Sequence, residues 1–264
     1  MIDMMVRWLG FPPDASQHGL ALDRMTAVVH WMMLLLFVGW GAFFIYTLFR
    51  FRAGRQPQAI YNGAKGAVAK SSEIAVIAAE VLLLVLFAFP TWATWVRIPT
   101  AEEHPLEIRV IGEQFAWNVH YPGPDGKFGK TEVHLVNSNN PVGLDKSDPA
   151  ALDDITTINQ LHVEMNRPVI VHLSSKDVIH SFNLPVMRVK QDAIPGLEIP
   201  IHFTPVKTSP EYPACAGQKD CWEIACAQLC GLGHFRMRGF LNVDSPEQFQ
   251  AWMAQQTPAV GGSS

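Results

Sequence analysis

The sequence predicts a membrane-anchored, all-β protein, in which a hairpin of two transmembrane helices precedes an exported β-sandwich or small barrel. Two long apolar runs lie near the N-terminus. Short runs rich in Val, Ile, Leu and aromatic residues, separated by turn residues, fill most of the remainder. Of the 264 residues, 48% are apolar and 17% are charged, against about 25% charged in a typical soluble protein. A disordered chain and a simple cytosolic enzyme are therefore excluded.

Both apolar runs are long enough to cross a bilayer, which needs about 20 residues. The first, residues 25–49, carries no charge. The second, residues 73–96, has Glu73 at its start and Glu80 inside, and it ends in tryptophans of the kind found at membrane interfaces. A cleaved signal peptide has a shorter apolar core. Two buried core helices are the alternative interpretation. We therefore expect two transmembrane helices, with residues 1–24 exported ahead of them.

Charge predicts the orientation of the hairpin. The loop of residues 50–72 contains five Lys or Arg residues and no Asp or Glu, so it should stay in the cytoplasm. Both termini and the C-terminal domain then lie on the outer side. From Arg97 to Ser264 there are 13 Lys and Arg against 19 Asp and Glu, a net charge of −6. Such a domain can attract a basic partner or simply be soluble; no nucleic-acid partner is expected.

The predicted β domain extends from residue 97 to 250. Residues 137–154 are polar and contain proline, which predicts a loop. Residues 246–256 favour a short surface helix, and a flexible tail rich in Pro, Gly and Ser is expected after it. We place the C-terminal tail at residues 251–264.

Soft metal ligands are concentrated in the segment CAQLCGLGHFRM. It contains Cys226, Cys230, His234 and Met237, and this combination suits copper. A mononuclear blue-copper site would use one cysteine. Two thiolates can bridge two copper ions, in which case a second histidine must bind the ion that His234 does not.

His180 is the best candidate for that second histidine. It lies at the end of a predicted strand in SKDVIHSF, where it can approach the cysteine loop. The other exported histidines stay open as alternatives: His104, His120, His134, His162, His172 and His202.

The segment CAQLCGLGHFRM closely resembles the dinuclear copper (CuA) loop of cytochrome c oxidase subunit II, C-x-E/Q-x-C-G-x-x-H-x-x-M. DVIHSF resembles the segment with that family's first copper histidine, MRVKQDAIPG the stretch after it, and GEQFAWNVHY its aromatic segment. These motifs follow two N-terminal helices in the family's order, so the resemblance covers nearly the whole chain. It implies a cupredoxin-like β domain.

The resemblance also implies a dinuclear copper site held by six residues. They are two bridging cysteines, two terminal histidines, a weak axial methionine and one backbone carbonyl: Cys226, Cys230, His180, His234, Met237 and Gln228. Many relatives have Glu in place of Gln228, and that side chain helps to bind magnesium. A neutral amide is a poorer ligand for a hard cation, so retention of the magnesium site stays open.

Two other features of the family bear on electron and proton transfer. Many members have Trp-x-Trp where this chain has Phe115-Ala116-Trp117, and the first Trp is where electrons enter. Phe115 is therefore the candidate for that role, whereas Trp117 is either part of the route or a core aromatic. Glu73 matches a Glu near the entrance of a proton path. Glu80 is expected to face a partner subunit, because an ionisable group inside a membrane is costly.

Cys215 and Cys221 fall outside the copper motif. In an oxidising exported compartment a disulfide between them is expected, with two free thiols as the alternative. The sequence has no C-x-x-C-H motif, so no covalent haem is expected.

The resemblance implies the electron-accepting subunit of a respiratory haem–copper oxidase in a bacterial plasma membrane. Its partners would be subunit I, which holds haem and CuB, subunit III, and cytochrome c or another periplasmic carrier. The complex would have cytochrome-c oxidase activity, with O2 reduced to water in subunit I and protons pumped. The alternatives are a quinol oxidase subunit, which lacks the copper ligands, and a membrane-anchored copper carrier or sensor. A CuA domain of the nitrous-oxide-reductase type is disfavoured by the two N-terminal helices.

Overall fold

The computed structural model describes residues 2–58, 61, 63, 66–210 and 222–260. They form two compact units. One comprises Met1–Phe11 and Leu20–Arg97, and the other comprises Pro12–Gly19 and Ile98–Ser264. The first unit is helical and the second is built from β-strands, as the sequence predicts.

The helical unit contains the two apolar helices. Its elements are α1 (Ile2–Trp8), α2 (Gly19–Arg50), α3 (Ala67–Leu83), a π-helical turn (Leu84–Ala88) and α4 (Phe89–Trp95). The last three form one continuous helix of 29 residues, and α2 has 32, so both can cross a membrane. Their most apolar windows are 0% buried inside the chain, which excludes core helices of a soluble domain.

The helix α2 begins at Gly19, ahead of the apolar run at residue 25. The intervening sequence, LALDR, consists mostly of good helix formers, so the helix continues into polar residues. The helix therefore begins six residues before the apolar run from which it was predicted.

The described residues of the second unit form ten strands in two five-stranded sheets. They are β1 (Leu106–Glu113), β2 (Ala116–Tyr121), β3 (Ile155–Ile158), β4 (Gln160–Glu164), β5 (Val169–Ser175), β6 (His180–Leu184), β7 (Val189–Ala193), β8 (Ile199–Phe203), β9 (Glu223–Cys226) and β10 (Arg238–Asp244). The strand orders are β3-β2-β1-β5-β8 and β4-β10-β9-β6-β7. Most pairs are antiparallel, whereas β1 with β5 and β4 with β10 are parallel.

Alternating side chains of the strands form the core. In β1, Leu106, Ile108 and Val110 are buried while the residues between them are more exposed. The Trp117 ring packs edge-on against Phe182 of the other sheet, with their centroids 5.4 Å apart. This packing confirms the predicted β-sandwich.

A short N-terminal segment belongs to the β unit. The backbone N–H of Val206 donates to the Ala15 carbonyl (2.8 Å), and that of Gln17 donates to the Thr204 carbonyl (2.9 Å). Ala15 is buried. Residues 12–18 therefore form an edge segment of the domain, which the sequence analysis did not distinguish within residues 1–24.

The C-terminal residues are packed against the β domain. The helix α5 (Pro246–Gln255) buries Phe249, and the Trp252 ring stacks on His162 at 4.1 Å. Beyond the helix, the Ala259 N–H donates to the Asp154 carbonyl (2.7 Å). The expectation of a flexible tail is thus wrong for residues 257–260, because apolar contacts and a backbone hydrogen bond hold them in place.

Candidate metal centre

The cysteine segment is the loop that joins β9 to β10. Cys226 is the last residue of β9, and Arg238 begins β10. In the register of β6 with β9, Phe182 lies opposite Cys226. The start of β6 therefore brings His180 next to the loop that begins at Cys226, although the two residues are far apart in the chain.

Glycines allow this loop to pack closely. Gly231 has φ +135°, in the region that L side chains rarely adopt, and a Cβ at Gly233 would clash with the Phe115 ring. On β1, a Cβ at Gly112 would lie 2.9 Å from the imidazole of His180. Glycine at positions 112 and 233 thus leaves room for the His180 ring and for the Phe115 ring.

The two thiols and the two imidazoles converge. The Sγ atoms of Cys226 and Cys230 are 3.8 Å apart. The Nδ1 of His180 lies 3.9 Å from the Cys226 Sγ, and the Nδ1 of His234 lies 3.6 Å from the Cys230 Sγ. The ligand atoms of His180, Cys226 and Cys230 all lie within 4.8 Å of one another.

Two weaker ligands complete the cluster. The Met237 Sδ lies 3.7 Å from the Cys230 Sγ, and both residues are buried. The Gln228 carbonyl oxygen lies 3.3 Å from the Cys226 Sγ, whereas the Gln228 side chain is exposed. The backbone of Gln228 can therefore act as a ligand without help from its amide.

This donor set fits a pair of soft metal ions. Two thiols, two imidazole nitrogens and a thioether are the ligands that copper prefers. The Nε2 of His180 lies 2.8 Å from the Asp177 carboxylate, which holds the ring so that Nδ1 faces the sulfur atoms. The neighbouring sulfurs of Cys226 and Cys230 are suited to bridging two ions.

Asp177 is held as a carboxylate by hydrogen bonds. Burial opposes ionisation, but hydrogen bonds from His180 and from the Gln114 and Val178 N–H groups lower the pKa of Asp177 below its usual value. The Gln114 side chain also donates to the Cys230 carbonyl (2.6 Å). Gln114 therefore connects Asp177, which holds His180, to the cysteine loop.

The free thiol of Cys230 is protonated at neutral pH. Burial and the neighbouring Cys226 thiol raise the pKa of Cys230 to about 11. Since a metal binds the thiolate, occupation of the site must release this proton.

Sequence reasoning proposed no role for Asp177 or Gln114. Asp177 belongs to DVIHSF and Gln114 to GEQFAWNVHY, two of the segments that resemble the family. Their positions three residues before His180 and one before Phe115 were the only available signal. Gln114 contacts Asp177 and Cys230, which are distant from it in the chain, so only the fold reveals these two contacts.

The structure separates the two aromatic candidates. Phe115 is partly exposed and lies against the loop at Gly233. Trp117 is fully buried, with its ring 6.0 Å from that of His180, so it has the environment of a core aromatic. Glu73 and Glu80 lie in α3, where Glu80 borders a cavity between α2 and α3.

Several alternative histidines have carboxylate partners instead of sulfur neighbours. His120 contacts Asp154 at 2.7 Å, His162 contacts Asp244 at 2.7 Å, and His172 lies between two glutamates. The expected disulfide of Cys215 with Cys221 lies outside the described residues.

Residues 106–242 match the family model "Cytochrome C oxidase subunit II, periplasmic domain". The match covers more than half of the chain. The chain belongs to this family.

Similar proteins extend beyond the matched region. The alternative cytochrome c oxidase subunit 2 of Bradyrhizobium diazoefficiens is 29% identical over 250 residues, which is 94% of this chain and 84% of that protein. Cytochrome c oxidase subunit 2 of Cereibacter sphaeroides is 26% identical over 278 residues, covering 96% and 81%. The crystal structure of the periplasmic domain of subunit II (CoxB) of Bradyrhizobium japonicum covers 60% of this chain and 95% of its own, at 27% identity and a TM-score of 0.40.

The match to the family model confirms the resemblance that the sequence motifs indicate. A cytochrome c oxidase subunit II combines membrane helices with a cupredoxin-like copper domain, and this chain has both kinds of unit. Copper is the metal expected for such a subunit.

Proposed function

We propose that this chain is the electron-accepting subunit of a respiratory haem–copper oxidase. It would take electrons from cytochrome c or a similar external carrier at a dinuclear copper centre and pass them to haem in subunit I. There O2 would be reduced to water, coupled to proton pumping. One observation carries the proposal: the two Sγ atoms of Cys226 and Cys230 lie 3.8 Å apart, each beside a histidine Nδ1.

Six residues would hold the copper pair. Two thiolates, two imidazoles, a thioether and a backbone carbonyl would be the ligands: Cys226, Cys230, His180, His234, Met237 and Gln228. A copper pair bound there would supply one-electron transfer between the external carrier and the haem. The chain keeps the ligands in position through the Asp177 hydrogen bond to His180 and through burial of the site.

The remaining residues receive roles consistent with this function. Phe115, which packs on the copper loop, is proposed as the point where electrons enter. Trp117 supports the His180 side of the site from the core. Glu73 is proposed to lie near the entrance of a proton path, and Cys215 and Cys221 are proposed to form a disulfide.

The membrane arrangement follows from the two apolar helices. We place them in a bacterial plasma membrane against subunit I, with subunit III as a further partner. The loop of residues 50–72 would be cytoplasmic, and both termini and the domain of residues 97–250 periplasmic.

Copper stoichiometry and electron paramagnetic resonance test the proposal on the full-length chain in detergent. We expect two copper ions per chain and one unpaired electron shared equally between them. The variant Cys226→Ser should lose the shared signal, because it removes one bridge. One copper ion per chain, or two ions with independent signals, would contradict the proposal and support a copper carrier or sensor.

A further inference from the structure

The turn between β1 and β2 supplies none of the candidate ligands but contacts both segments that supply them. It consists of two residues, Gln114 and Phe115, because Glu113 of β1 pairs with Ala116 of β2. In a hairpin with a two-residue turn, the register of the strands and the turn geometry fix each other. The β1–β2 turn can therefore act as a rigid support for the more irregular segments around it.

The segment that carries His180 is attached to the β1–β2 turn. The backbone N–H of Gln114 donates to one oxygen of the Asp177 carboxylate (2.7 Å), and the other oxygen lies 2.8 Å from the His180 Nε2. The Lys176 N–H donates to the Gly112 carbonyl, near the end of β1 (3.1 Å). The connection between β5 and β6 is thus held against the β1–β2 hairpin.

The β9–β10 loop contacts the same turn through a hydrogen bond and through packing. The Gln114 Nε2 donates to the Cys230 carbonyl (2.6 Å). The Phe115 ring packs so closely on Gly233 that a Cβ there would overlap the ring, including its Cγ atom. Cys226, at the other end of the loop, is instead held within the sheet by the pairing of β9 with β6. Gln114 and Phe115 therefore contact the part of the loop that lies beyond the strands.

The packing on Gly233 depends on the Phe115 ring and not on the backbone. Gly233 has φ −92° and ψ 5°, which L side chains also adopt. Gly231 differs, since its φ of +135° strains any other residue. Protein interiors are packed so tightly that one added methyl group displaces its neighbours. An alanine at residue 233 would therefore have to move either the ring or the loop.

We propose that Gln114 and Phe115 are positioning residues of the copper site, and that their turn sets the placement of Cys230 relative to the His180 segment. The proposal rests on the proposed function and adds two residues that act on the site without binding metal. Contacts outside the ligand set orient the ligands, and their loss weakens metal binding. For Phe115, this role is separate from the entry of electrons, because the packing on Gly233 needs no donor.

The first test replaces the hydrogen bond of Gln114. Gln114→Met keeps a side chain of similar length but cannot donate to Cys230. In the full-length chain in detergent, the Kd for copper, measured by competition with a Cu(I) chelator, should rise about twofold to tenfold, the range for one hydrogen bond. At saturating copper, paramagnetic resonance should show an unpaired electron shared unequally between the two ions.

Gln160→Met is the matched control. The Gln160 side chain accepts a hydrogen bond from Asn242 (3.0 Å) between β4 and β10, so this variant also loses one bond in the same domain. It should leave the copper Kd and the resonance signal unchanged. A merely structural loss in the domain is thereby separated from an effect on the site.

The second test uses the contact of Phe115 with Gly233. Gly233→Ala should raise the copper Kd about fivefold or more and disturb the shared signal, because the added methyl group overpacks the contact. In the Phe115→Ala background, the ring is absent, so Gly233→Ala should have no further effect on either measurement. If Gly233→Ala accumulates as folded protein only together with Phe115→Ala, the same contact is supported.

Two results would overturn the proposal. One is a copper Kd and resonance signal in Gln114→Met that match those of Gln160→Met. The other is an effect of Gly233→Ala, on copper binding or on folding, that persists in full in the Phe115→Ala background. Failure of the proposed function is distinct, since the unmodified chain would then lack two copper ions with a shared electron.

Discussion

At the residue scale, Gln228 faces the candidate metal site with its backbone. Its carbonyl oxygen lies 3.3 Å from the Cys226 Sγ while its side chain is exposed. We therefore expect Gln228→Ala to retain two copper ions per chain and the shared electron signal, as measured by metal analysis and paramagnetic resonance. Cys230→Ser provides the contrast, because it removes a bridging atom. Loss of copper in Gln228→Ala would show that the amide has a role the geometry does not reveal.

We expect His18 to make the stability of the β domain depend on pH. Burial lowers the pKa of His18 from 6.5 to about 4, although the Asp14 carboxylate opposes this shift. As the pH falls from 6.5 to 4, the unfolded chain binds a proton at this site that the folded chain does not. The domain should therefore lose stability across this range, with no further loss from His18 below it.

The variant His18→Gln tests this dependence, because it removes the titrating group. Thermal unfolding of the detergent-solubilised protein should show a shallower loss of Tm between pH 6.5 and 4 than the unmodified protein shows. Identical slopes in the two proteins would rule out His18 as a source of the pH dependence.

At the level of elements, α5 is anchored through one buried side chain. Phe249 is 2% exposed, and its ring stacks with Trp252, which in turn stacks on His162 of β4. We expect Phe249→Ala to destabilise the β domain by about 3–5 kcal/mol, the range for truncating a buried aromatic residue. Denaturant unfolding measures the change.

The exposed neighbour Gln250 supplies the control. Gln250→Ala should change the free energy of unfolding by less than about 0.5 kcal/mol. If both variants unfold alike, α5 does not contribute to the stability of the domain.

At the scale of the whole molecule, we expect the basic loop to determine the orientation of the two helices in the membrane. We expect alkaline phosphatase, which is active only outside the cytoplasm, to be inactive when fused after residue 58 and active when fused after residue 256. The reason is that the first fusion keeps Arg50, Arg52 and Arg55 of the basic loop, which resist export. Replacing Arg50, Arg52 and Arg55 with Gln should increase the phosphatase activity of the first fusion. Equal activity of both fusions would contradict the proposed topology.

Sequence patterns predicted the features that depend on nearby residues. The apolar runs predicted the two long helices because length and hydropathy alone decide whether a segment can span hydrocarbon. Alternation in segments such as LEIRVIGE predicted strands with one buried face. The spacing of Cys226, Cys230 and His234 predicted a metal loop, because these residues lie close together in one short segment.

By itself, the sequence determined the class of protein and the two helices, and it predicted the candidate metal ligands of the β9–β10 loop. Only the tertiary structure decided how distant segments meet: residues 12–18 against the segment that follows β8, Gln114 against Asp177 and Cys230, and residues 257–260 against the domain. The physical reason is that these contacts are backbone and side-chain hydrogen bonds between segments far apart in the chain. No local periodicity encodes such pairings, since they form only when the two sheets have set the register of their strands.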